Sequence, residues 1–133
     1  MIVKTLALYL QSEGLGTTTQ DMFVEYLPDA PDNAVCLYTT GGFNPSDSAV
    51  LGYDTPTLQV RTRNTSAESA YSKAMNIYAA LQGIANTTIS GVFFVSIQAL
   101  QTSPVILGRD SAQRYEYTQN YACEVRNLTE HRQ

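Results

Sequence analysis

Two stretches of apolar–polar alternation, one on each side of an amphipathic segment, constrain what this chain can fold into. Residues 57–63 place Leu58 and Val60 on one strand face and polar side chains on the other, and residues 114–126 repeat the pattern. Between them, residues 66–82 carry apolar side chains at the spacing of a helix. A strand presents alternate residues to opposite faces, so both strands need a layer over their apolar side. We expect the helix to form that layer.

The helix over 66–82 has recognisable ends. Thr65 and Glu68 have the spacing of a capping box, and Gly83 supplies the stop. The side chains predicted to form its core face are Tyr71, Ala74, Met75, Tyr78 and Leu81. A second helix is predicted over 2–12, because apolar residues recur there at helical spacing.

Further strands are predicted where apolar runs are bounded by turn residues. They span 21–27, 34–40, 87–89 and a long stretch from Val92 towards Leu107. Ser90-Gly91 predicts a hairpin turn, Pro104 an edge or a bulge, and Gly108–Ser111 a turn. The chain is therefore predicted to form one α+β domain over 1–133, with a mostly antiparallel sheet and two helices packed on one face.

The segment 41–56 has no sustained period and is rich in Gly, Pro and small polar residues. We predict a long flexible loop, a kind of segment that commonly has a function. Its apolar side chains are explained if a neighbouring subunit or another protein covers them; alternatively, Phe43 or Tyr53 folds back on its own core. The residues predicted to make this contact are Phe43, Asn44, Asp47, Leu51, Tyr53 and Asp54. The tail over 128–133 is predicted to be frayed.

Four charged residues outside this loop are candidates for ion pairs between subunits. Alternation places Arg61 and Arg63 on the outward face of their strand, and Arg109 and Asp110 fall in the predicted turn. The planar fork of arginine matches a carboxylate, which suits such pairs. For each residue taken singly, ordinary solvated surface is the commoner alternative.

No set of residues predicts catalysis or a cofactor. The only histidine is His131, close to the chain end, where a catalytic base would lack fixed geometry. Without a second histidine, Ser-His-Asp triads and histidine-based metal sites are excluded. Thr40-Gly41-Gly42 lacks the lysine and the following helix of a phosphate-binding loop.

Two smaller features have plain structural interpretations. Asp29 and Asp32, with Asp47 or Asp54, have the chemistry of a hard-cation site, but aspartate beside proline is more typical of a turn. Cys36 and Cys123 lie in apolar patterns far apart, which favours buried free thiols. The sequence therefore predicts no metal, no cofactor and no enzyme.

The charge balance bears on possible partners. Twelve acidic and eight basic residues give a net charge of −4, and the basic residues are scattered. A protein that grips nucleic acid normally presents a basic stripe, so this chain is not expected to bind DNA tightly, although DNA could pass beside it. The short apolar N-terminal stretch is interrupted by Lys4, so neither a signal peptide nor a membrane span is predicted.

Three stretches in order resemble a known family. They are Leu27–Val35 with Thr40-Gly41-Gly42, then Thr55–Arg63 with the helix after it, then Leu107–Asp110 with Arg114–Tyr117. The combination P-D-x-P-D, T-G-G, P-T-x-Q-V-R-x-R and G-R-D resembles the siphophage minor capsid proteins related to tail terminators, also called tail completion or tail-to-head joining proteins. The resemblance spans about residues 2–126.

The resemblance implies a structural protein of the virion, made in the host cytoplasm. Such proteins form a homohexameric ring on the last ring of tail-tube subunits, halt tube growth and dock to the head connector or stopper. Genome DNA passes through the bore without specific binding. Two alternatives stay open: a head-completion stopper, adaptor or other minor capsid protein, and, more remotely, a small host-type enzyme or binding module.

Overall fold

The computed structural model describes residues 1–45 and 52–132, which form two helices and eight strands. In chain order these are α1 (Ile2–Ser12), β1 (Met22–Val24), β2 (Ala34–Gly42), β3 (Tyr53–Asp54), β4 (Pro56–Asn64), α2 (Ala67–Leu81), β5 (Ala85–Ile89), β6 (Val92–Ala99), β7 (Val105–Arg109) and β8 (Tyr115–Arg126). Within residues 1–45 and 52–132, one sheet contains all eight strands, and β1–β2 is the only parallel strand pair. The expected α+β fold is confirmed.

Strand β8 is the central strand of the sheet. On one side it pairs with β4 and β3, and on the other with β6 and β7, which follow each other along it. The long strand expected from Val92 towards Leu107 is therefore two strands with a break over 100–104. Buried Pro104 lies at the end of the break, where its missing N–H cannot interrupt a ladder.

Both helices pack against one face of this sheet. The helices contribute the fully buried Leu6, Leu10, Ile77 and Leu81, and the sheet contributes Leu37, Leu58, Phe94, Ile97 and Tyr121. Fully burying one such aliphatic side chain stabilises the fold by roughly 1.5–3 kcal/mol. Neither helix among the described residues has the length and apolarity needed to cross a membrane.

Helix α2 differs from its prediction at its start and in its buried face. The N-cap is Ser66 rather than Thr65, and its hydroxyl accepts a hydrogen bond from the Ser69 N–H at 3.2 Å. The buried residues are Ala70, Ala74, Ile77 and Leu81. Tyr71, expected in the core, is 40% exposed and packs edge-on against Tyr117. The small alanines let the helix approach the sheet closely, so the larger ring remains at the margin.

Some strand boundaries also differ from those predicted. Strand β2 continues to Gly42 and β4 begins at Pro56, inside the segment expected as a loop. A Cβ atom at Gly42 would lie 2.5 Å from the Thr55 carbonyl oxygen, so this close strand approach requires glycine. Strand β1 is shorter than expected, since Glu25 turns the backbone into the left-handed region at φ 67°. The Ser90-Gly91 hairpin is confirmed, with both residues at positive φ.

Candidate assembly surfaces

The turn segment 28–32 is held against the sheet by Arg63. The Arg63 Nε donates to the Asp32 carbonyl at 3.1 Å, and Nη2 donates to the carbonyls of Pro28 at 2.8 Å and Pro31 at 2.6 Å. Arg63 is only 4% exposed, although strand alternation predicted an outward position. The residue does point away from the helices, but segment 28–32 folds over that face and accepts its hydrogen bonds.

A second buried arginine, Arg114, binds the same segment through its carboxylates. Its guanidinium pairs with Asp110 at 2.8 Å, Asp29 at 2.9 Å and Asp32 at 3.3 Å, and it also donates to the Asp29 carbonyl. The Asp110 carboxylate accepts two more bonds, from the N–H groups of Ala112 and Arg114. Hydrogen bonding to Arg114 lowers the pKa of Asp110 below its ordinary value. Asp29 and Asp32 thus face a guanidinium in this structure.

Sequence reasoning did not find this cluster, which comprises Asp29, Asp32, Arg63, Asp110 and Arg114. The sequence pattern indicates turn formers at Asp29 and Asp32, and for Arg114 only a polar position in an alternating strand. One local signal was available, because Asp110 and Arg114 stand four residues apart around a predicted turn. The link to segment 28–32 had no local signal, since it joins residues about eighty positions apart in the chain.

The sheet face away from the helices carries cross-strand polar pairs around Arg61. The Arg61 guanidinium lies 3.5 Å from Glu116 and 5.4 Å from the centre of the Tyr38 ring. Nearby, Gln59 donates to Asn120 at 3.3 Å. Burial raises the pKa of Tyr38 to about 12, so the phenol stays neutral at physiological pH. The Arg61 side chain is 32% exposed.

Exposed Phe43 lies beside a cleft of about 1010 Å³ at one end of the sheet. Phe43 is 63% exposed, and Ile2, Val92 and Val125 contribute apolar surface to the cleft wall. Asn44 is exposed next to it. Of the other residues predicted for this contact, Asp47 and Leu51 lie outside the described residues.

The C-terminal segment closes one side of this cleft by binding Asp54. The Asp54 carboxylate accepts bonds from Arg132 at 2.8 Å and from the Asn127 amide at 2.9 Å. Arg132 also donates to the Tyr53 carbonyl at 2.8 Å. The tail predicted to be frayed therefore makes specific contacts in this structure.

The predicted interface residues do not form one cluster. Phe43 and Asp54 line the cleft, Tyr53 precedes Asp54 on β3, and Arg61 lies on the open sheet face. Arg109 is exposed on the β7–β8 hairpin, with its guanidinium 5.8 Å from the Tyr115 ring centre. Arg63 and Asp110 are engaged with segment 28–32, Arg63 directly and Asp110 through Arg114.

Both cysteines are buried and free, as expected. Burial raises the pKa of both thiols, that of Cys123 to about 12. Across residues 1–45 and 52–132, no group of three or more His, Cys, Asp or Glu side chains is placed to hold a metal ion.

A family model described as bacteriophage tail terminator protein matches residues 9–127. The chain belongs to the bacteriophage tail terminator family. The matched range contains β1 to β8 and α2 and begins within α1, so the family's domain and the fold described above coincide. The resemblance inferred from the sequence motifs is thereby confirmed. Membership of the tail terminator family makes the chain a structural protein of the phage virion.

A solved structure has the same fold. A chain of the structure described as "Virion of native gene transfer agent (GTA) particle" matches with a TM-score of 0.60 and 18% sequence identity. The match covers 91% of this tail terminator family member and 92% of that chain. The comparison with curated proteins finds no match.

Proposed function

We propose that this protein forms a homohexameric ring that caps the phage tail tube at the head–tail junction. There it ends polymerisation of the tube and docks the completed tail to the head connector or stopper. The observation that carries this proposal is the match to the tail terminator family over residues 9–127. The role is structural rather than catalytic and needs no cofactor.

The cleft end of the sheet is suited to contact with the tail tube or a neighbouring subunit. Phe43 presents a large apolar surface to water, and burying such a ring fully stabilises a contact by roughly 1.5–3 kcal/mol. Asn44 lies beside it, and Tyr53 and Asp54 are held in place by the C-terminal segment. Asp47 and Leu51 lie between Asn44 and Tyr53 in the sequence, and we propose that they take part in the same contact.

The charged residues divide into two proposed roles. Arg109 is exposed and the Arg61 side chain is partly exposed, which suits both residues to pair with carboxylates of a neighbouring subunit. Arg63 and Asp110 act indirectly, because they fix the shape of segment 28–32 and the turn after β7.

The net charge of −4 is compatible with genome DNA passing through the ring. Acidic side chains along the bore repel phosphate groups, so DNA slides without being held. This component of the proposal concerns passage and involves no specific recognition of bases.

The test is electron microscopy of lysates from a phage that lacks this gene. Overlong or irregular tails beside separate DNA-filled heads support the terminator role, because both length control and joining have failed. Tails of normal length beside heads that leak DNA would instead assign the protein to the head side, as a stopper or adaptor. Intact infectious virions would refute a structural role at the junction.

Complementation of the same phage tests the cleft contact. We expect Phe43→Ser to restore fewer joined particles than the wild-type gene, because an apolar anchor is lost. Tyr26→Ser is the matched control, since Tyr26 is 69% exposed but lies away from the cleft. Equal complementation by both variants would exclude Phe43 from the contact.

A further inference from the structure

Strand β7 is an open and apolar sheet edge. Its only strand partner among the described residues is β8, so the backbone groups on its other side meet no strand. Three consecutive aliphatic residues on it are exposed: Val105 at 49%, Ile106 at 53% and Leu107 at 53%. Leu100, before the break between β6 and β7, is also 50% exposed. Natural proteins rarely leave such an edge bare, because it pairs readily with another chain.

The usual protection of an edge strand is missing from Val105–Leu107, and the only charged residue of β7 is Arg109 at its end. Charged side chains, above all lysine, normally keep an edge from pairing. From Ala74 to Gly108 the chain contains no Asp, Glu, Lys, Arg or His, so every charge lies outside this stretch. The stretch includes β5, β6 and all of β7 except Arg109. One side of the sheet therefore consists of three strands nearly without charge.

The carboxylates closest to this edge are already neutralised. Glu116, which is in register with Gly108, pairs with Arg61 on the open sheet face. Asp110, directly after β7, pairs with Arg114. A partner strand at β7 would thus meet main-chain groups, the aliphatic side chains of Val105–Leu107 and, at the end of the strand, Arg109.

The distribution of charge favours this side of the sheet for the contacts between copies that the proposed ring requires. Two copies of this chain, each at −4, repel each other wherever their acidic surfaces approach. That repulsion is weakest where neither copy presents an acidic side chain, which is the side formed by β5, β6 and β7. A sheet that continues between identical subunits requires each copy to supply an exposed strand edge, and β5 and β7 each have one open edge.

We propose that the open edge of β7 is a contact between copies of this chain, with a charge-free strand of the adjacent copy added alongside Val105–Leu107. Main-chain hydrogen bonds and buried aliphatic side chains then continue the sheet from one subunit into the next. This inference deepens the proposed ring by naming the surface through which subunits meet. It is separate from the cleft around Phe43, which lies at the end of the sheet containing β3.

Site-specific photo-crosslinking in phage-infected cells tests the inference. A benzophenone amino acid is placed at Leu107, and crosslinked peptides from whole cells and from purified tails are sequenced by mass spectrometry. The expected product joins Leu107 to β5 of a second copy, because a β7–β5 contact is head-to-tail and can close a ring. A β7–β7 product would indicate a two-fold contact, which cannot close such a ring, and would overturn the inference.

Other products overturn the inference. Crosslinks from Leu107 only to a different virion protein, or no crosslink at all, show that a second copy does not occupy the edge. The same probe at Leu8, exposed on α1, is the control and should give no self-crosslink. If self-crosslinks form but the protein is absent from tails, the proposed function fails while the contact stands. If the protein is in tails without self-crosslinks, the contact fails alone.

A pair of charge substitutions gives an independent test. Ile106→Lys should abolish the self-crosslink from Leu107 and the formation of joined particles, because it introduces charge into the edge. Leu8→Lys should retain both. Circular dichroism of the purified variants checks that each is folded. A folded Ile106→Lys protein that still self-crosslinks would refute the assignment.

Discussion

Asp110 and Arg114, four residues apart around one turn, form a 2.8 Å ion pair in which the carboxylate also accepts two backbone N–H groups. The same guanidinium reaches Asp29 and Asp32 in a distant turn segment. With Arg63 bound to the carbonyls of that segment, two buried arginines tie the β7–β8 hairpin, β4 and segment 28–32 together.

Replacing Arg63 should destabilise the protein although its charge is retained. Lysine has no planar fork, so Arg63→Lys leaves carbonyls of segment 28–32 without their donors. We expect the free energy of unfolding to fall by about 3 kcal/mol, in line with loss of several bonds to a charged group. Urea denaturation followed by circular dichroism measures it. Arg109→Lys, on an exposed residue, should change it by less than about 0.5 kcal/mol.

Acid should lower the free energy of unfolding, and protonation of Asp110 should account for part of this effect. Its pKa in the folded chain lies below the ordinary 3.8, so the folded state binds the proton less readily than the unfolded state. The stabilisation is complete above pH 3.8 and is lost as the pH falls through the lowered pKa. Asp110→Asn should show a smaller loss of stability across that range, measured by urea denaturation at several pH values. Exposed Glu130→Gln is the control, and identical acid profiles for both variants would contradict this role.

The buried face of α2 can be checked by two truncations. Ile77 is fully buried, so Ile77→Ala should lower the free energy of unfolding by about 2–5 kcal/mol. Tyr71 lies at the helix margin, so Tyr71→Ala should cost about 1 kcal/mol, mainly the contact with Tyr117. A larger fall in the free energy of unfolding for Tyr71→Ala than for Ile77→Ala would support the buried helix face predicted from the sequence.

The two thiols should be unreactive while the protein is folded. Cys36 and Cys123 are buried and their pKa values are raised, so little thiolate forms at mildly alkaline pH. Mass spectrometry after iodoacetamide treatment should find both thiols unmodified in the native protein and both alkylated in concentrated guanidinium chloride. Rapid alkylation of Cys123 in the native state would show that β8 opens easily.

Local sequence patterns were sufficient for the elements that depend on neighbours in the chain. Helix α1 spans Ile2–Ser12 as predicted, and the Ser90-Gly91 hairpin has the positive φ values that its two residues suggested. Strands β4 and β8 match their alternating segments to within a residue. Side-chain spacing and turn chemistry act over a few residues, so they can be recognised without a tertiary structure.

The family could also be recognised from the sequence, because its motifs are short and ordered. The sequence predicts the candidate assembly surfaces only in part. Exposed Phe43 was among the residues predicted from the composition of its loop. The open edge at Val105–Leu107 was not, since an aliphatic run in a sequence does not reveal whether its strand is covered.

What the sequence by itself determined is the order of helices and strands and the polarity of each strand face. Only the tertiary structure decided which polar residues on a face are covered. Arg61 and Arg63 lie two positions apart on the same face of β4, yet Arg61 is half-exposed and Arg63 is buried. The difference comes from segment 28–32, which folds over one of them. Alternation fixes the direction of a side chain, whereas burial depends on chain segments that are distant in sequence.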